Sequence, residues 1–163
     1  MSFDSIIAFF EHIPTDWIIL FAVTVFLAFD ALRSGQARVK ALALSLPISL
    51  VCYTGLAKTA YLGPVISQLS MPFAQSVIAL GIIVLVFLIT LKATNTWGQG
   101  SQQPVSALMS GIAAAIVLLV VWLQVPPLQD LWHFGPTVQA IFGTSLSLYW
   151  MLAAFLAFAF VRN

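Results

Sequence analysis

Asp30-Ala-Leu-Arg-Ser-Gly-Gln-Ala-Arg-Val-Lys40 carries four of the eleven Asp, Glu, Lys and Arg residues in the chain. Apolar runs flank it, Trp17 to Leu32 before and Ala41 to Leu56 after. Two such runs joined by a short cationic turn read as a transmembrane helical hairpin, with the turn held in water.

Composition asks for the same solvent. Of 163 residues, 61% are hydrophobic and 7% are charged, where an ordinary soluble domain carries about a quarter charged residues. So few charges cannot cover a water-facing surface, and most of the surface must meet the lipid bilayer. A net charge of +1 leaves no cationic excess for neutralising phosphates, which argues against a nucleic-acid partner. The single cysteine, Cys52, forms no intramolecular disulfide and reads as a small buried hydrophobe.

From the hairpin outward, the pattern predicts one integral membrane domain over residues 1–163, all-α and polytopic, with about five transmembrane helices at 17–32, 39–56, 73–91, 104–123 and 144–161. Interfacial amphipathic helices complete it. Over residues 1–14, Phe3, Ile6, Ile7, Phe10 and Ile13 share one helical face, as in a helix lying in the membrane interface until Pro14 ends it. That segment carries Asp4 and Glu11 and no Lys or Arg, unlike the positive start of a cleavable signal. Thr15 or Asp16 is then placed to cap span one. Pro47 predicts a kink in span two and a protein-facing side around it. Residues 57–73, with a Gly63-Pro64 turn, and residues 93–103 read as connecting segments. Trp132, His133 and Phe134 around Asp130 look interfacial. Pro136 to Phe142 fits a first turn of the last span, a re-entrant piece or a separate surface helix.

With five spans, Arg33, Arg38, Lys40, Lys92 and Arg162 fall on one side of the membrane and only Lys58 on the other. This bias predicts the amino terminus outside and the carboxyl terminus in the cytoplasm, with Arg33, Arg38 and Lys40 as the topology-determining cluster.

Span four has small residues at four-residue intervals, Ala107, Gly111 and Ala115 in one row and Ser106, Ser110 and Ala114 in another. Such rows let helices approach closely, the main source of association in lipid. They are the candidate packing site, for other membrane proteins or for self-association. Nucleophile motifs, phosphate loops and metal-ligand clusters are lacking, so the reading is not an enzyme and assigns no cofactor. Asp30, with Arg33 three residues on, is a candidate ion pair or, together with Pro47, a candidate gate. The nearby bases favour an interfacial carboxylate matched by Arg33, Arg38 or Lys40 over a proton site. His12 and His133 fall on one side near acids and read as solvated interface residues rather than a metal or pH-sensing site.

The layout over roughly residues 15–140 resembles the colicin V production protein family of small bacterial inner-membrane proteins. Asp16-Trp17 opens the first span, Arg33-Ser-Gly-Gln-Ala-Arg38 resembles the family's Arg-Gly-rich turn, and a small-residue span ends in Pro126-Pro127 before an interfacial tail. Ser34 separates Arg33 from Gly35, Val39 stands where the family has an acid, and a fifth span is added. The resemblance implies a non-enzymatic role in envelope function, secretion or membrane homeostasis. The alternative class is a small, oligomeric channel or transporter.

Overall fold

In lipid a backbone must close its hydrogen bonds within its own segment, so long apolar runs fold as helices. The computed structural model describes residues 14–58, 72–94 and 104–160. Four long helices appear in order: α1 (Thr15–Ser34), α2 (Gln36–Ala57), α3 (Pro72–Thr94) and α4 (Pro104–Gln124). Three short ones follow: α5 (Pro126–Leu131), α6 (Pro136–Phe142) and α7 (Ser147–Phe160). Among the described residues there is no strand. Proline opens α3, α4, α5 and α6. There its missing N–H falls where a helix has no acceptor to offer.

The long helices hold 20, 22, 23 and 21 residues, enough at a rise of 1.5 Å per residue to cross a hydrocarbon layer of about 30 Å. The chain is thus an all-helical, multi-pass membrane protein of four such helices, or five if the bent pair α6–α7 counts as one span. That pair contains the expected last span at 144–161. Its second limb, α7, has only 14 residues, about 21 Å of helix. The first limb, Pro136–Phe142, meets it at 69°. Residues 128–143 therefore form two separate short helices with an elbow after Phe142.

α4 is the axis of the bundle. α1, α2 and α7 all pack on it, while α3 packs on α2 and on α5. The core is accordingly made of α4 side chains, Ala107, Ala114, Val117 and Val120 being fully buried, together with Ala31, Ala41 and Ala43 from α1 and α2. The outer face of α3 carries Phe73, Val77, Val84 and Leu88, all exposed. An outward apolar face is what a bilayer solvates.

Other expectations need correction. Neither Thr15 nor Asp16 caps α1. Pro14 occupies the cap position with no side-chain bond, and the Asp16 carboxylate reaches another segment instead. The segment around Pro47 is part of one helix, α2, which faces protein on α1, α3 and α4 as expected. Cys52 is exposed rather than buried. It sits with Val51 on the outer side of α2, where a thiol serves as an apolar group toward lipid. The expected interfacial helix over 1–14 apart from its last residue, most of the expected connecting segments 57–73 and 93–103, and Arg162 lie outside the described residues.

Candidate functional site

The hairpin turn is built on Gly35, whose φ of 85° and ψ of 156° belong to a region essentially reserved for glycine. This single residue reverses the chain between α1 and α2. It sets the last turn of α1 beside the first turn of α2, and three side chains meet there. Ser34 Oγ donates to Asp30 Oδ1 at 3.0 Å, Arg38 Nη1 donates to Ser34 Oγ at 3.2 Å, and Arg38 Nη1 lies 3.6 Å from Asp30 Oδ1. The carboxylate is matched by Arg38 and not by Arg33, which points outward. The pair is half open to solvent, so it contributes on the order of 0–1 kcal/mol. Its geometry is that of a turn clasp. Lys40, one turn into α2, is half-buried.

Pro47 is not near Asp30 in this arrangement. It lies mid-helix, and the serines on either side of it turn their hydroxyls to their own backbone. Ser45 Oγ donates to the Leu42 carbonyl and Ser49 Oγ to the Leu46 carbonyl, both at 2.7 Å. Of the candidate gate residues, Asp30 thus sits in the turn clasp and Pro47 is half-buried in α2, where the hydroxyls beside it are occupied.

The rows on α4 are placed in the middle of the chain's own packing. Ala107, Ser110 and Ala114 are fully buried and Ala115 nearly so. At Gly111 the reason for glycine is direct, since a Cβ there would stand 2.7 Å from the Ala28 backbone nitrogen and 2.8 Å from its Cα. Thus α1 is the helix that the small row admits. Ser106 takes a hydrogen bond from Gln36 Nε2 at 2.5 Å, joining the first turn of α2 to the first turn of α4. Gln36 is 2% exposed, although it sits in the polar turn.

At the opposite end of the bundle, cross-helix bonds fix the elbow. The Gly135 amide donates to Asp16 Oδ2 at 2.5 Å, and Trp122 Nε1 donates to the Trp132 carbonyl at 3.2 Å. Ser76 Oγ donates to the Pro127 carbonyl, so the start of α3 lies at the same end as the α4–α5 junction. Phe134 is buried while Trp132 and His133 are exposed. His12 lies outside the described residues. No group of three metal-ligating side chains occurs among the described residues.

Sequence reasoning missed these cross-helix contacts, Gln36–Ser106 and Asp16–Gly135 being the most distant of them in the chain. Their partners lie 70 and 119 residues apart, and no local spacing signals either. The one available hint was Gln36 itself, the residue directly after the turn glycine and the first of α2.

A search of protein-family models, of curated proteins and of solved structures finds no match to this chain.

Proposed function

We propose that this chain is a non-enzymatic membrane subunit or scaffold of a bacterial-type inner membrane, serving an envelope, secretion or homeostasis system, with its amino terminus outside and its Gly35 turn in the cytoplasm. One observation carries the reading. Polar groups inside the bundle hold helices, as with Gln36 on Ser106 and Ser76 on Pro127, or bond their own turns, as with Ser45 and Ser49, while the buried Ser110 hydroxyl of α4 has no hydrogen-bond partner among the described residues. Polar side chains used for internal packing fit a scaffold better than a transport path, which needs polar groups free to meet a substrate. The outward apolar face of α3 is then available to other membrane proteins. The layout resemblance to the colicin V production protein family supports the same role, and the basic bias around Arg33, Arg38 and Lys40 supports the orientation.

The bent pair α6–α7 favours a second reading, a small oligomeric channel or transporter, because broken helices inside membranes recur at transport sites. Purification in mild detergent with native mass measurement separates the two. An unrelated membrane chain in fixed stoichiometry supports the subunit. Flux through vesicles holding this chain alone, abolished by Asp30→Asn, overturns it. Orientation is read separately with Ser34→Cys in a Cys52→Ser background. Labelling from the cytoplasmic side is expected, and labelling from outside the cell reverses the assignment.

A further inference from the structure

Ala28 and Gly111 bring α1 and α4 into backbone contact, but toward the Asp16 end the same helices stand on either side of a groove of about 640 Å³. Its walls include Phe21 and Thr24 from α1, Ile112 and Ile116 from α4, and Phe142 and Trp150 from the elbow. Two polar groups in the wall are already bonded. The Thr24 hydroxyl donates to the Leu20 carbonyl at 2.7 Å, and the Trp150 indole N–H donates to the Ile141 carbonyl at 2.8 Å. Apart from the Trp17 indole N–H, the wall offers hydrocarbon contact to whatever fills the groove.

We infer that one fatty acyl chain of a bilayer lipid occupies this groove as a stoichiometric ligand. The groove is continuous with the lipid-facing surface, for Phe21 in its wall is 71% exposed and Ile112 is 43% exposed. Its volume falls among small-molecule sites of about 300–1,000 Å³. A membrane-crossing helix is far larger, since a cylinder about 10 Å wide and 30 Å long displaces on the order of 2,400 Å³. The wall chemistry also disfavours a helix. Helices associate in lipid through small residues that let backbones meet, and here Gly111 is already taken by α1. Apart from Ala115 and Thr24, the groove presents bulky Ile, Leu, Phe and Trp edges, between which a thin, flexible chain can settle.

The test uses the full chain in nanodiscs of a phosphatidylcholine with one palmitoyl and one oleoyl chain, then native mass spectrometry after release into detergent. One phospholipid per chain is expected. Ile112→Trp and Thr24→Phe, which fill the groove, are expected to lower retention about tenfold, and Val84→Trp on the outer face of α3 to leave it unchanged. Circular dichroism checks that each variant keeps its helices. A wild-type chain that retains no lipid, or equal retention in all three variants, overturns the inference. So does a second protein chain that is retained in place of lipid and released by Ile112→Trp. A phospholipid with a diazirine in its acyl chain tests the wild type without any substitution. Crosslinks concentrated on peptides containing Phe21 or Ile112 are expected, and crosslinks spread equally over α3 overturn the claim. These results do not depend on whether the chain serves as a scaffold or as a channel.

Discussion

The two halves of the α1–α4 contact are made by the same helices and differ in kind. In the Gly35 half, Ala28 and Ala31 face Ala107, Ser110 and Gly111, all of them buried, and the backbones meet. In the Asp16 half, Phe21 and Thr24 face Ile112, Ile116 and Leu119 across an apolar groove. Hydrophobicity does not separate the halves, because both are apolar. Size does. Between helices in lipid there is no hydrophobic driving force, so association depends on how many atoms come within van der Waals range. Small side chains allow that range over a long seam, while large ones hold the helices apart and leave volume for lipid.

The largest expected effect comes from closing off the tight half. Gly111→Leu puts a branched side chain where even a Cβ meets the Ala28 backbone. Backbone on both sides means nothing can rotate away. Overpacking of this type costs about 1–3 kcal/mol and occasionally more. Gly111→Leu should lie at or beyond the top of that range and Gly111→Ala inside it, measured by unfolding in mixed micelles. Ile112→Ala, one residue away but facing the groove, should cost far less. Equal losses at 111 and 112 would erase the difference between the halves.

A smaller effect is expected at the latch that ends the tight half. Gln36 and Ser106 meet between the first turns of α2 and α4. A double-mutant cycle on Gln36→Ala and Ser106→Ala should return a coupling of about 0.6 kcal/mol, the average for polar pairs between membrane helices, and not above about 1.7 kcal/mol. A coupling near zero would mean that the small residues alone hold this end and that the hydrogen bond follows from their packing.

What the sequence made legible in this molecule follows from which forces act locally. The four long helices were readable because hydrocarbon thickness sets a length and each run meets it. Pro104 and Pro136 were readable as helix starts because a missing N–H is a local fact, whereas Pro126, which reads as the stop of span four, also opens α5. The role of Gly35 was readable as a turn for the same reason. What α4 packs against was not. Spacing at Ala107, Gly111 and Ala115 says that a backbone comes close, and is silent on whether it belongs to this chain or another. Cys52 was misplaced for a related reason. In lipid, apolar residues lie on both the inner and outer faces of a helix, so the apolar surroundings of Cys52 carry no sign of direction. The elbow after Phe142 was left open between three readings, because Gly143-Thr144-Ser145 interrupts an apolar stretch only weakly. Across the bend the Trp150 indole N–H bonds the Ile141 carbonyl, and at the other end of α6 the Gly135 amide bonds Asp16.

That last contact gives the smallest effect and the sharpest comparison. Asp16 lies in the first turn of α1, where a carboxylate is favoured by the unsatisfied amides of the helix start, and it also accepts the Gly135 amide at 2.5 Å. Asp16→Asn keeps an oxygen in place and removes only the charge. The cost should be about 0.3–1 kcal/mol, the usual worth of a charge at a helix terminus. It should appear as faster hydrogen exchange at the Gly135 amide and along α6, with the amides around Ala28 and Gly111 unchanged. Exchange that rises equally in both halves would show α1 and α4 opening as one unit. Exchange confined to the elbow would show that the groove can loosen to admit a chain while the tight seam beside it keeps the two helices together.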